Sequence, residues 1–208
     1  MEHVWAGQVA EDSKSKRQQI LNAAYDVFSR KGYYRATVDE IIALADTGKG
    51  TVYNYFTNKE QLFCTLIQER GDPFQRAMEK VAASNLPALN KIEAIIKLTL
   101  GFYGENADLW RVLMHEVRGF GCGTNQANLS PETLEKYQHG FASLIGIFEK
   151  VLAEGVDQEI LRPINLSKVA YSLFSVCVMM VYQNLVDDDI DVTARNIASV
   201  FLYGIARY

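Results

Sequence analysis

Hydrogen-bond donors crowd the short stretch from Lys49 to Tyr55. They are a lysine, a threonine, two tyrosines and an asparagine, whereas only Val52 and Phe56, four residues apart, have the spacing to pack inward as a helical stripe. A helix with a narrow apolar stripe and a donor-rich surface suits an anionic partner that is rich in hydrogen-bond acceptors.

A second short helix is predicted just upstream, over Val38 to Ala45. Thr37 and Glu40 have the spacing of a capping box at its start. Asp46-Thr47-Gly48 interrupts the apolar pattern, and Gly48 is expected to take backbone angles that other residues avoid. A helix, a short turn and a second helix form the geometry that places the second helix in the major groove of DNA.

The rest of the chain has helical periods and no alternating run long enough to predict a strand, so the fold is expected to be all-α. The first helix is predicted to begin near Ser15, with Gln18 completing a capping box, and to end at Gly32. Thr57 and Glu60 are expected to form the next capping box.

A long helix over Asn58–Ala83 is predicted to leave the N-terminal head and enter the body, with a kink or a break at Gly71-Asp72-Pro73. Three regions are therefore expected: a flexible leader over 1–13, a helix-turn-helix head of three helices over 14–62, and a larger helical body for effector binding and dimerisation over 63–208.

Charge is distributed unevenly between these regions. The whole chain carries a net charge of −4, which disfavours a generic nucleic-acid binder. The segment 14–62, however, holds eight Lys or Arg against five Asp or Glu, and 63–208 holds thirteen against seventeen. A basic head on an acidic body fits a local DNA contact, although ordinary surface variation would also account for the difference.

Several other classes of protein find no support in the sequence. The three cysteines, Cys64, Cys122 and Cys177, form no paired spacing with one another or with histidine, so no disulfide framework, metal site or cofactor is predicted, and reduced thiols in a cytoplasmic protein are expected. The most apolar run, Leu173 to Tyr182, is too short to cross a membrane. His115-Glu116 lacks the second histidine of a zinc protease helix, and no Gly-x-Ser-x-Gly occurs, so no enzyme is predicted.

The spaced residues from Thr37 to Leu62, TVDEIIALADTGKGTVYNYFTNKEQL, resemble the N-terminal domain of the TetR family of bacterial transcriptional regulators. The upstream pattern Ile20-Leu21-x-Ala23-Ala24-x2-Val27-Phe28-x3-Gly32-Tyr33 resembles it as well. The similarity is close over about a quarter of the chain, from Arg17 to Leu66. The chain departs from the family at Ala45-Asp46-Thr47-Gly48, where Ala-Gly-Val-Ser is usual, so Asp46 is expected to take a less usual conformation and Thr47 or Gly48 to cap the second helix.

The resemblance implies a role for each matching residue. Thr37 would hold a phosphate, Lys49 would reach guanine acceptors, and Gly50 would allow close approach. Thr51 would meet a phosphate or a thymine methyl group, and Asn54 would pair with adenine. The remaining residues, expected to anchor phosphates, are Tyr53, Tyr55 and Lys59. For the two tyrosines, half-buried packing residues are the alternative interpretation.

The resemblance also implies an apolar effector cavity in the body, among large side chains that are otherwise plain core. Its candidate residues are Phe74, Met78, Phe102, Tyr103, Trp110, Met114, Arg118, Tyr137, Phe141, Phe174 and Met179. The last two helices are apolar nearly all round, which predicts a four-helix bundle with a second copy of the chain. The interface residues expected there are Leu173, Cys177, Val181, Ile197, Phe201 and Ile205. A central helix pair in a monomer is the alternative.

The sequence therefore predicts a homodimeric, ligand-responsive transcriptional regulator in the cytoplasm. It would repress by binding a double-stranded, pseudo-palindromic operator and would leave that operator when a small apolar or aromatic effector shifts the long helix. No membrane contact is expected. A small-molecule-binding protein with a degenerate DNA-binding head is the alternative from another class.

Overall fold

The computed structural model describes residues 2–117, 129–163 and 165–203, and every regular element among them is an α-helix. The all-α prediction is confirmed over this part of the chain. In chain order the helices are α1 (Glu2–Arg35), α2 (Val38–Leu44), α3 (Lys49–Tyr55), α4 (Lys59–Ala82), α5 (Ala88–Glu105), α6 (Ala107–Val117), α7 (Pro131–Asp157), α8 (Leu166–Tyr182) and α9 (Ile190–Tyr203).

The first helix begins earlier than predicted. α1 starts at Glu2, so Ser15 lies inside it and does not cap it. Residues 2–14 contain one glycine and no proline, and alanine, glutamine, glutamate and lysine are good helix formers, so nothing in this segment breaks a helix. The predicted break at Gly32 is confirmed, because this glycine has φ 76° and ψ 166°, outside helical geometry.

One compact unit consists of Met1–Arg70 and Asp108–Thr133. In it α1 packs against α2 and α3, which also contact each other. The ring of Phe63 lies 5.0 Å from that of Phe28 and 4.9 Å from that of Tyr33, measured between centroids. These contacts bind the first turns of α4 to the head, so the head continues past the predicted boundary at residue 62.

Helix α4 starts with a cap one residue later than predicted. The Asn58 side-chain oxygen accepts a hydrogen bond from the Gln61 backbone N–H at 2.8 Å, and the Gln61 side-chain oxygen accepts one from the Thr57 backbone N–H at 2.5 Å. Asn58 therefore caps the helix, and Glu60 is left for another contact. The helix runs through Pro73 as a single element, so of the predicted kink or break the break is absent.

The second compact unit consists of Gly71–Ala107 and Leu134–Tyr208. Here α5 packs against both α8 and α9. The Lys91 ammonium is buried, and it donates to a Glu154 carboxylate oxygen at 2.6 Å and to the Ala82 carbonyl at 3.2 Å. This ion pair joins α5 to α7 and to the end of α4. None of the described helices is both long and apolar enough to cross a membrane.

Candidate nucleic-acid interface

The predicted capping box at the start of α2 is confirmed. The Thr37 hydroxyl accepts a hydrogen bond from the Glu40 backbone N–H at 3.3 Å, and the Glu40 carboxylate accepts one from the Thr37 backbone N–H at 3.1 Å. Glu40 also binds the Lys31 ammonium, which together with these bonds lowers the pKa of its carboxyl group. The Thr37 hydroxyl therefore already has a structural role at the position where a phosphate contact was predicted.

The turn between α2 and α3 takes its unusual backbone angle at Asp46, as predicted. Asp46 has φ 43°, in the left-handed region, which aspartate tolerates better than most residues. Gly48 is the N-cap of α3, and its φ of −78° and ψ of 148° are open to any residue. The expectation that Gly48 supplies special angles is therefore wrong, because the chain reverses two residues earlier.

Helix α3 presents one face to solvent and one to the core. Val52 is 1% exposed and Phe56, the residue that ends the helix, is 3% exposed. The residues on the solvent face are Lys49, Gly50, Tyr53 and Asn54. Their spacing places them within two adjacent turns, so four of the predicted DNA-contacting residues form one continuous surface. A Cβ at Gly50 would meet nothing within 4 Å, so close approach to a partner is open there.

Two other predicted contact residues on α3 are half-buried. Thr51 and Tyr55 lie at the edge of the exposed face. The Tyr55 ring is 6.3 Å from the Phe56 ring, which supports its alternative role in packing. Neither side chain is removed from the surface, so both can still contribute a hydroxyl group to a partner at the edge of the interface.

The Lys59 side chain binds groups within the head itself. Its ammonium donates to the carbonyls of Tyr33 at 2.9 Å and Ala36 at 3.1 Å, and lies 4.5 Å from the centroid of the Tyr33 ring. A third carbonyl, that of Tyr34, is 3.4 Å away. Partial burial lowers the pKa of Lys59. To bind a phosphate as predicted, this ammonium would have to leave the carbonyl groups that it satisfies between α1 and α2.

Lys49 lies next to an acid that sequence reasoning missed. Its ammonium is 3.1 Å from a carboxylate oxygen of Asp39, on the first turn of α2. The hydrogen bond to Asp39 raises the pKa of Lys49. The two residues are ten apart in the chain, on either side of the turn. The predicted packing of α2 against α3 was the signal that could have revealed this contact. A partner that contacts Lys49 therefore also meets the negative charge of Asp39.

Five of the predicted pocket residues form a connected group of rings in the second unit. Phe74 stacks on Phe102 at 4.2 Å, and Phe102 lies 5.4 Å from Tyr103, edge to face. Tyr103 is 5.6 Å from Phe174, which is 5.2 Å from Phe141. Burial raises the pKa of the Tyr103 hydroxyl. The rings of Phe102 and Phe141 are partly exposed, so the group reaches the surface of its unit.

The other predicted pocket residues are scattered. Met78 is fully buried in the second unit, and Tyr137 belongs to that unit as well. Trp110 and Met114, on α6, belong to the first unit. Met179 is 55% exposed on α8, which does not suit the lining of an internal cavity. Arg118 lies outside the described residues.

Most of the residues predicted for a dimer interface lie in the interior of the second unit. Leu173, Cys177, Val181 and Ile197 are at most 8% exposed, and burial raises the pKa of the Cys177 thiol to about 12. Phe201 is half-buried, and Ile205 lies outside the described residues. The helical periods therefore selected the face of α8 and α9 that packs against the chain's own core.

A different apolar face of α8 and α9 is open to solvent. Its residues include Val176, 36% exposed, and Met179 on α8, with Val200, 51% exposed, and Tyr203, 70% exposed, on α9. On each helix the two residues are three apart, so each pair lies on one side of its helix. The exposed apolar surface of these two helices is therefore offset from the residues that the sequence pattern selected.

In the three-helix head, the capped helix α2 is followed by a tight turn and by the donor-rich helix α3. This arrangement defines a helix-turn-helix DNA-binding protein. Residues 20–65 match the model of the bacterial regulatory proteins of the tetR family. The head of the chain is therefore similar to the DNA-binding domain of the TetR family of transcriptional regulators.

Similar proteins extend this result beyond the head. The fatty acid metabolism regulator protein of Bacillus subtilis is 28% identical over 143 residues, which cover 69% of each chain. The structure of the regulator FadR from Bacillus subtilis in complex with stearoyl-CoA superposes with a TM-score of 0.72 at 22% identity, covering 91% of this chain and 99% of that one. The fatty acid degradation regulator FadR from Bacillus halodurans superposes with a TM-score of 0.75 at 21% identity, covering 93% and 97%. At these identities the two solved structures show that the fold is shared.

Proposed function

We propose that the chain is a homodimeric, cytoplasmic repressor that binds a pseudo-palindromic operator and is released from it by a long-chain acyl thioester of coenzyme A. The observation that carries the DNA-binding part is the exposed face of α3, held by Val52 and Phe56 against the head. Lys49 and Asn54 would contact base edges there, and Tyr53 would bind a phosphate. Thr37, Gly50, Thr51 and Tyr55 would complete the contact, and Lys59 would position the head.

The geometry of the turn favours this function over a binding protein with a degenerate head. The departure from the family pattern covers Asp46 to Gly48, the left-handed conformation in this turn falls at Asp46, and α3 still begins at Lys49. The residues that would touch DNA therefore remain on one exposed face. A lost function would instead be expected to remove donors from that face or to bury them.

Binding of the purified protein to the DNA upstream of its own gene, at several salt concentrations, tests the DNA-binding proposal. Saturable binding that resists competitor DNA and weakens steeply with salt is expected. Tyr53→Phe is expected to weaken binding to all sequences by a similar factor, and Asn54→Ala to relax the preference at one base pair of each half-site. Tyr171→Phe serves as the matched control, because Tyr171 is a 43% exposed tyrosine on α8, outside the proposed DNA-contacting and dimer surfaces. Weak binding that is indifferent to sequence at this site and in a random-site selection would contradict the proposal.

The effector part of the proposal is supported by the ring cluster and by the ligand of a similar protein. The cluster from Phe102 to Phe141 supplies the apolar surface that an acyl chain requires, and it includes rings that are partly exposed. Regulators named for fatty acid metabolism are similar to this chain, and one of them is described with stearoyl-CoA bound. The acyl chain would contact the rings, and the free energy of that contact would favour the form with low DNA affinity.

Titration of the operator complex with stearoyl-CoA, octanoyl-CoA, stearate and free coenzyme A tests the effector. Release by stearoyl-CoA at the lowest concentration, and none by free coenzyme A, is expected. Phe102→Ala and Phe141→Ala are expected to raise the concentration needed for release while the affinity for DNA without effector stays at the wild-type value. If stearoyl-CoA neither binds nor releases the protein, the effector proposal is wrong and the DNA-binding proposal is untouched.

The homodimer would form through the exposed apolar face of α8 and α9 defined by Val176, Met179, Val200 and Tyr203. A two-fold axis places the same surface on both copies, so one substitution acts twice. Met179→Glu is expected to convert the dimer to a monomer in sedimentation experiments and to abolish tight operator binding. Leu185→Glu is the matched control, because Leu185 is 58% exposed just beyond the end of α8. An unchanged dimer in Met179→Glu would contradict this interface.

A further inference from the structure

An ion pair lies at the start of α3, on the proposed DNA-contacting surface. The Lys49 ammonium and the Asp39 carboxylate are 3.1 Å apart, and their side chains remain 65% and 75% exposed. Asp39 stands on the first turn of α2, two residues after Thr37, and Lys49 is the first residue of α3. The acid therefore lies beside Lys49, one of the two residues proposed to contact base edges.

The neighbouring charges already have partners, which isolates this pair. Glu40 accepts from Lys31 and completes the capping box with Thr37. Among the described residues, Lys49 is the cation within reach of the Asp39 carboxylate. An ion pair between exposed side chains adds little to stability, and an acid in the first turn of α2 adds only a modest helix-dipole contribution, of a kind that Glu40 supplies as well.

A carboxylate at this position has two opposing effects on DNA binding. It repels phosphates and partly neutralises Lys49, so it lowers affinity for DNA of arbitrary sequence. It can also accept a hydrogen bond from the amino group of cytosine in the major groove, while lysine donates to the O6 and N7 atoms of guanine. Guanine O6 and cytosine N4 are bonded to each other in the base pair, so acceptor and donor lie side by side, as Lys49 and Asp39 do.

We propose that Asp39 is a specificity-determining residue, which with Lys49 reads one G·C base pair in each half-site as a paired donor and acceptor. The inference rests on the proposed DNA-binding function and goes beyond it by assigning a base preference. A thymine at the position of the cytosine presents an oxygen and a methyl group to the carboxylate and is rejected. Where only phosphates are contacted, the DNA offers the Asp39 carboxylate no donor and its phosphates repel it, so binding of arbitrary DNA is penalised.

The experiment compares wild type, Asp39→Ala and Asp39→Asn against an operator set in which each base pair is replaced in turn, and against DNA of unrelated sequence. For Asp39→Ala, discrimination at one G·C position of each half-site is expected to fall about tenfold or more. Affinity for unrelated DNA is expected to rise severalfold. Asp26→Asn is the control, since it removes an exposed charge from α1 in the same unit.

Lys49→Ala and the double variant Asp39→Ala/Lys49→Ala complete the design. If the two residues read the same base pair, the two losses of discrimination at that position are not additive. Equal changes at all positions, no larger than those of Asp26→Asn, would show that Asp39 is only a solvated acid and would overturn the inference. Wild type that binds no operator would refute the proposed function and this inference with it, whereas an unaltered base profile in Asp39→Ala refutes the inference alone.

Discussion

Replacement of Lys59 by methionine separates a structural role from a DNA contact. The Lys59 ammonium donates to the carbonyls of Tyr33 and Ala36, at 2.9 and 3.1 Å, and lies over the Tyr33 ring. Methionine keeps the length and much of the apolar stem of lysine and removes the donor. The carbonyls between α1 and α2 then lose the cation that satisfies them, so we expect this junction to open more often.

The size of the effect follows from these contacts. Hydrogen bonds to a charged group contribute about 1.5–3 kcal/mol net, and a cation over an aromatic ring adds about 0.5–1 kcal/mol. Because Lys59 is half-buried, water can replace part of the loss, and about 2 kcal/mol remains as the expected decrease in the free energy of local opening. At a factor of ten for each 1.4 kcal/mol, hydrogen exchange at the junction should accelerate about thirtyfold.

Hydrogen exchange of the full chain, followed by mass spectrometry of peptides around residues 30–45, measures this effect. The reporter amides include that of Ala36, which donates to the Gly32 carbonyl at 3.3 Å, and that of Ile41, which donates to the Thr37 carbonyl at 3.3 Å. Lys16→Met is the matched control, because the Lys16 ammonium bonds to the Gln19 side chain on the same helix. Wild-type exchange in Lys59→Met, combined with weaker binding to every DNA sequence, would refute the structural role and restore the predicted phosphate contact.

Three further predictions concern stability. Asp46→Gly should raise the free energy of unfolding by about 0.5 kcal/mol in urea titrations, because glycine relieves the left-handed backbone at φ 43°, whereas Asp46→Ala should not; a gain in both variants would contradict this. Partial burial acts to raise the pKa of Glu60, but hydrogen bonds from Ser130 outweigh it and leave the pKa lowered. The contribution of Glu60 to the free energy of unfolding is therefore complete above the unfolded pKa of about 4.5, and it is lost as the pH falls through the folded pKa. The wild-type urea midpoint should therefore fall more steeply than that of Glu60→Gln between pH 6 and 3. Lys91→Met should lower the free energy of unfolding by about 2 kcal/mol, because the Glu154 carboxylate that it leaves behind is partly exposed and can be hydrated. Glu154→Gln should lower it more, because this change leaves a buried ammonium without its carboxylate. The reverse order in urea unfolding would contradict this account.

Much of the fold was predictable because its signals are local. The capping box of Thr37 and Glu40, the break at Gly32 and the span of α3 depend on residues within one or two turns of each other. The start of α7 at Pro131 has a similarly local cause, since a proline after a serine is favoured at the first turn of a helix. The early start of α1 was missed because its first residues lack both an apolar period and a breaker.

The sequence by itself determined the class of protein, the helix-turn-helix and the donors on the exposed side of α3. These follow from helical spacing, which the chain carries along its own length. Only the tertiary structure decided that Lys59 binds carbonyls 23 and 26 residues away, and that Lys49 faces Asp39 across the turn. Which side of α8 and α9 is open to solvent was decided in the same way, by the packing of α5 against both helices. When a helix is apolar nearly all round, its sequence does not say which side its own chain covers, and only the arrangement of the neighbouring helices settles it.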